Sequence, residues 1–279
     1  MKAFALAPLA AIAAFAAPLA ADDHMAPSLE QVLATDARGD DGARDLYRHP
    51  VETLKFFRVE PTMSVAEFSP GGGWYTRVLA PWLMPQGRYI AFNTDSDGGT
   101  YRDRAQEVRA KGWTESFKSD TAEMMGVAPD GVTAFEIDEM PEDMAGTVDR
   151  VLIFRSMHGL NNGNEADTVL KAARMMLKPD GMVGVVQHRA PEDATYDDYG
   201  ARQRGYMREK DVINIFEANG FELVDRSEIN ANPNDPADWE RGVWTLPPVL
   251  ATGANDPRRA EYERTGESDR MTLLFRKMK

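Results

Sequence analysis

Cysteine is absent from all 279 residues, which excludes disulfides, thiolate metal sites and a thiol nucleophile together. A chain of this length buries its own core without such staples. Basic charge is scarce as well: the formal net charge is −13, spread along the chain rather than gathered in a tail. A nucleic-acid partner needs a basic face for its phosphates, so that class of function is set aside. Past Ala21 no apolar run is long enough to cross a bilayer, and stable membrane insertion is not expected. Internal repeats are missing too, and the length fits one elaborated α/β domain better than two.

What is present begins with an export signal. Lys2 gives a positive start, Ala3 to Ala17 is an alanine-rich apolar run, and Pro18-Leu19-Ala20-Ala21 supplies small residues for cleavage. Residues 1–21 thus read as a secretory signal peptide, cut near Ala20 or Ala21, with the periplasm as destination in a double-membraned bacterium. Cleavage after Ala21 exposes Asp22-Asp23-His24, and a histidine third from a free amine suits square-planar Cu(II) or Ni(II).

Apolar runs and turn signals then alternate. Strands are expected at 63–68, 88–93, 114–118, 148–154, 181–187, 221–227 and 270–277, with helices at 74–84, 101–111, 165–177 and 208–219. Such alternation implies a parallel sheet with helices on both faces. Leu177-Lys178-Pro179-Asp180-Gly181 stops one helix before the β-branched run Met182–Val186, and Gly220 closes another before Phe221. Two parts stand outside the rhythm. Residues 22–60 form a helical leader broken at Pro50, and 228–269 form a long polar insertion within the main domain, 61–279.

The most informative segment is Glu67-Phe68-Ser69-Pro70-Gly71-Gly72-Gly73-Trp74-Tyr75-Thr76. A short apolar run ends at Glu67, a glycine turn follows, and a helix starts at Thr76. That order brings a ligand against bare backbone at a helix N-terminus. Gly71 and Gly73 lack a Cβ and let the chain bend sharply. With Phe154-Arg155-Ser156-Met157-His158, Gln187-His188-Arg189, Ser227 to Pro233 and Gly242 to Pro248, the segment resembles the class I S-adenosyl-L-methionine (SAM)-dependent methyltransferases, in particular an exported group of predicted methyltransferases.

The resemblance runs from Arg48 to the C-terminus and implies a Rossmann-like fold. Its sheet has seven mostly parallel strands, helices on both faces and an antiparallel last strand. It also implies that Glu67, Ser69, Gly71 and Gly73 flank the methionine portion of SAM. The end of strand two, Asn93 to Asp95, meets the ribose, and Asp120 reaches the adenine amino group. Two positions depart from the pattern. Ser69 replaces the first glycine, which requires φ to stay negative there. Asn93 replaces the usual carboxylate, and an amide has one acceptor oxygen where a carboxylate has two; Asp95 is the nearest carboxylate able to take its place.

Methyl transfer from a sulfonium mainly needs alignment, with a base only where the acceptor must lose a proton. His158, just past strand four, is the first candidate base, with His188 past strand five as the second. Arg155, at a strand end, is suited to the SAM carboxylate, an acidic substrate or Glu67, and Arg189 to an anionic substrate. Trp74 and Tyr75 fit core packing for at least one of the pair. Arg48 is placed to cap the pocket, and Asn230, Asn232 and Trp244 either line an acceptor site or make turns.

The leading expectation is a SAM-dependent methyltransferase acting on a small-molecule acceptor. A non-catalytic binding protein on the same scaffold is the alternative, since fold does not imply function. A nicotinamide-dependent oxidoreductase is disfavoured because Gly71-x-Gly73-x-x-Thr76 lacks the third glycine. Nothing in the sequence sets an oligomeric state.

Overall fold

The seven strands are β1 (Ser64–Phe68), β2 (Arg88–Asn93), β3 (Thr133–Glu136), β4 (Val148–Phe154), β5 (Leu177–His188), β6 (Phe221–Ser227) and β7 (Arg270–Lys277). In the computed structural model, which describes residues 26–195, 197 and 204–279, they form one sheet in the order β3-β2-β1-β4-β5-β7-β6. Only β7 is antiparallel, to both β5 and β6. This is the arrangement the methyltransferase resemblance implies. Residues 1–25, with the signal segment and Asp22-Asp23-His24, lie outside the described residues. Among those described, no helix is long and apolar enough to cross a membrane.

Alternation of side chains along the strands builds two apolar layers. Ala66, Phe68, Ile90, Phe92, Val151 and Ile153 face one side. The leader holds α1 (Leu29–Leu33), α2 (Asp45–Arg48) and α3 (Pro50–Phe56). Then come α4 (Thr76–Leu83), α5 (Arg104–Lys111), α6 (Trp113–Met125), α7 (Met157–Asn162), α8 (Ala166–Met176), α9 (Glu209–Ala218) and α10 (Arg259–Thr265). Met157, Leu160, Val169, Leu170, Val212 and Phe216 bring α7, α8 and α9 into the first layer. Leu29, Leu54, Val78, Leu79 and Phe117 bring α1, α3, α4 and α6 into the second, with Val65, Ala91 and Leu152. β1 is buried at all five positions, as the central strand of a doubly covered sheet must be.

One strand lies elsewhere than expected. The stretch read as a strand at 114–118 is helical, within α6, and strand three is Thr133–Glu136. Buried Phe117, Thr121 and Ala122 recur at helical spacing on α6, which ends at Gly126 in the left-handed conformation. Asp120 is therefore exposed on a helix rather than at a strand end. The leader also differs in detail. Pro50 does not break its helix but opens α3 at the first position, and the reversal falls one residue earlier, at left-handed His49.

The leader belongs to the core. Leu54 and Phe57 are fully buried, each worth roughly 1.5–3 kcal/mol of apolar burial. Phe57 lies so close to β5 that a Cβ on Gly184 would sit 2.5 Å from its ring. Gly184→Ala is therefore expected to destabilise the chain by about 1–3 kcal/mol through overpacking. Thermal unfolding checks this, and the additional change Phe57→Leu is expected to return part of the loss.

Candidate active site

The glycine turn leaves β1 through Ser69 and enters α4 at Thr76. Ser69 has φ +47°, Gly71 +59° and Gly73 +75°. The expectation of a negative φ at Ser69 is thus wrong: serine adopts the left-handed conformation that glycine supplies at less cost. The Ser69 N–H donates to the Phe92 carbonyl at 2.8 Å, which ties the turn to β2. At the end of β4, Arg155 is also left-handed, at φ +56°, with its N–H on the Val186 carbonyl. Two strained non-glycine residues at neighbouring strand ends mark a place where the surrounding structure dictates the backbone.

Between them opens a cavity of about 440 Å³ at the carboxyl ends of β1, β4 and β5. Glu67, Ser69, Gly71, Arg155, His158 and His188 all line it, six of the ten expected site residues. Gly73 lies in the same turn, although its own atoms do not line the cavity. Gly72 does, and a Cβ placed on it meets nothing within 4 Å. Trp74 and Tyr75 are both buried and also form part of the wall. Tyr75 stacks on Phe154 with ring centroids 3.5 Å apart.

Glu67 is held by Tyr89, whose hydroxyl donates at 2.6 Å, and more loosely by Thr76. Burial outweighs these hydrogen bonds and the nearby Arg155, and lifts the carboxyl to about 7. His158 and His188 have ring centroids 5.7 Å apart. Burial holds His158 below the usual imidazole range. It holds His188 well below, with His158 and Arg270 adding to the effect. Gln187 Nε2 donates to the Gly205 carbonyl at 2.9 Å and lies 3.4 Å from His158 Nδ1. His188 Nδ1 is 2.6 Å from Ser268 Oγ.

The leader and the last strand close the cavity. Arg44 and Arg48 line it. Arg77 Nε and Trp74 Nε1 bond Asp41 of the leader, at 2.6 and 3.1 Å. Glu267 accepts from Arg44 Nε at 2.7 Å and Arg48 Nε at 3.1 Å, and Arg270 Nη1 is 3.1 Å away. Because β7 runs antiparallel, its beginning rather than its end reaches the site, with Arg270 opposite His188. Glu267 and Ser268 were missed for that reason. Arg44 was missed because it lies in the leader, whose position no local pattern sets.

The insertion reaches the cavity through Val243, Trp244 and Pro247 to Val249. Its anchor is buried Asp235, which accepts from Tyr206 Oη, Trp239 Nε1, Ala237 N and Asp269 N.

The remaining expected residues separate from this cavity. Arg189 pairs with Asp269 and Glu228 beside a different depression. Asn230 bonds Thr53 and Thr272, and Asn232 bonds the carbonyls of Thr265 and Glu267, so both brace the fold. Asn93 Oδ1 accepts its neighbour Thr94 N, and Asp95 Oδ1 caps Asp97 N. Asp95 stands with Glu136 and Asp138 in an acidic group just past β2 and β3. The carboxylates at the end of strand three are therefore Glu136 and Asp138, and Asp120 lies apart from them on α6.

No protein-family model matches the chain, and no curated protein sequence matches it. Solved structures do. Geranyl diphosphate methyltransferase in complex with GPP and sinefungin superposes with TM-score 0.52 at 12% identity, over 82% of this chain and 76% of that one. A SAM-dependent methyltransferase from Aquifex aeolicus gives 0.49 at 17% identity, over 73% and 93%. The fold is thus the Rossmann-like class I methyltransferase fold.

The raised carboxyl of Glu67 has a consequence for stability. Glu67 ionises near 4.5 in the unfolded chain and near 7 in the folded one, so its own contribution to stability is fullest below 4.5 and is lost as pH rises through that window. Glu67→Gln keeps the acceptor for Tyr89 and is expected to flatten this part of the profile. Urea midpoints from pH 4 to 8 check it.

Proposed function

We propose that this protein transfers a methyl group from S-adenosyl-L-methionine to a small acceptor. The observation that carries the reading is the cavity opening on the bare turn Ser69–Gly72, at the carboxyl ends of β1 and β4. It lies where doubly wound sheets of this strand order bind ligands. The residues suit the methionine half of SAM: Gly72 leaves open space, and Glu67 stands on the wall. At the ribose half, Asn93 and Asp95 each give one oxygen to a neighbouring backbone N–H, and only the Asp95 carboxylate keeps a second acceptor oxygen for the ribose. The solved neighbour bound to sinefungin, an analogue of SAM, lends the same support.

When bound, SAM supplies an electrophilic methyl on a sulfonium, and the protein's part is alignment. Trp244 and Phe154 give the acceptor apolar walls. Two neutral imidazoles, on His158 and His188, stand ready to take a proton from a hydroxyl or amine acceptor. The apolar, alanine-rich segment 1–21 supports delivery of the chain outside the cytoplasm, to the periplasm of a double-membraned cell.

Isothermal titration of S-adenosylhomocysteine and sinefungin tests the reading. Binding in the micromolar range is expected. Gly72→Leu, which places a side chain in open space, should fold normally and lose that binding. Absence of heat at millimolar ligand would overturn the proposal. A second measurement addresses the histidines: ring resonances of His158, assigned with His158→Gln, are expected to titrate below the ordinary 6.5 as pH falls. A midpoint above it would contradict a neutral base beside Arg155 and His188.

A further inference from the structure

The cavity wall is strongly cationic in a chain that is otherwise acidic. Four arginines line it, Arg44, Arg48, Arg77 and Arg155, against two carboxylates, Glu67 and Glu267. Arg77 is answered by Asp41. Glu267 is shared among Arg44, Arg48 and Arg270, so one negative charge faces three positive ones. Glu67 is committed to Tyr89 and Thr76, and burial favours its neutral form below pH 7. A surplus of positive charge remains at the mouth of β4.

Two donors in that surplus are unanswered. Arg48 is 3% exposed, and its Nη1, like Nη1 of Arg155, is buried without a hydrogen-bond partner. Guanidinium donors are rarely left so, because an uncompensated buried charge is costly. Arg48 is held in place from both sides, its Nε on Glu267 and its guanidinium carbon 4.6 Å from the Trp74 ring centre. Arg155 is fixed by its own left-handed backbone and the bond to Val186. Both are preorganised to receive a planar oxyanion. The insertion adds an apolar segment to the wall, Val243, Trp244, Pro247, Pro248 and Val249.

We infer that the acceptor half of this cavity takes a small organic anion, its carboxylate or phosphate held by Arg48 and Arg155 and its apolar body against Trp244 and the Pro247–Val249 segment. The inference deepens the methyltransferase reading by giving the substrate class, yet it stands on the cavity alone. The competing source of the same chemistry is the carboxylate of SAM itself, and the experiment separates the two.

The probes are 4-hydroxybenzoate, which carries both an anion and a nucleophilic hydroxyl, and its neutral methyl ester. Each is titrated into the full chain, with and without saturating S-adenosylhomocysteine. The acid is expected to bind in both conditions, and the ester at least about tenfold more weakly, the ratio that one charge-assisted hydrogen bond supplies. Arg48→Gln and Arg155→Gln should each weaken the acid by a similar factor and leave S-adenosylhomocysteine affinity within about twofold. Equal binding of acid and ester to the unmutated chain overturns the inference, whatever the variants do. So does displacement of the acid by S-adenosylhomocysteine with parallel loss of both ligands in Arg155→Gln, which would assign the arginines to the cofactor. If the acid binds and S-adenosylhomocysteine does not, the anion site stands and the methyltransferase reading falls.

Discussion

One carboxylate, Glu267, holds the site together. It is 4% exposed and takes ion pairs from Arg44 and Arg48 of the leader and from Arg270 of β7. Without it three guanidinium groups, two of them buried, would stand side by side with no counter-charge. Buried ion pairs return their desolvation cost only when geometry and hydrogen bonding are good. Here the return is positional: the pairs lash residues 36–48 across strand ends that would otherwise be open, and they join the first part of the fold to the last strand.

That lashing explains why a charged cavity forms in an acidic protein. The bulk of the −13 charge lies on the surface and screens easily. Arginines gathered under the leader act in a drier place, where each charge interacts more strongly with a ligand. The left-handed backbones of Ser69 and Arg155 serve the same end. One brings bare amides to the rim, and the other aims a guanidinium across it. Strain at two adjacent strand ends is borne by a sheet whose central strand is wholly buried.

Much of this was legible in the sequence, for physical reasons. Apolar runs bounded by turn residues located β1, β2, β4, β5, β6 and β7, most clearly where a buried parallel strand needs continuous apolar character, as in β1 and β4. β3 escaped because it has four residues, Thr133–Glu136, and the longer aromatic stretch of α6 imitates a strand over five positions. That error carried Asp120 into the wrong role. Local pattern also pointed to Glu67, the glycine turn, Arg155, His158 and His188, which line one cavity at or just past the strand ends. It missed Arg44, Glu267 and Ser268, whose place depends on long-range pairing of the leader with β7. It left Arg189, Asn230 and Asn232 open, because a polar side chain near a site looks the same in sequence whether it meets a ligand or Asp269, Thr272 and the Thr265 carbonyl.

The account rests on one claim, that the turn from Ser69 to Gly73 and the arginine-lined cavity beside it form a single cofactor-and-acceptor cleft. A crystal structure of the full chain soaked with S-adenosylhomocysteine tests this most directly. The account predicts density for the amino-acid end against Glu67 and Gly72, with the ribose toward Asp95 and the space between Arg48, Arg155 and Trp244 still open. Density elsewhere, or filling the arginine pocket itself, would contradict it.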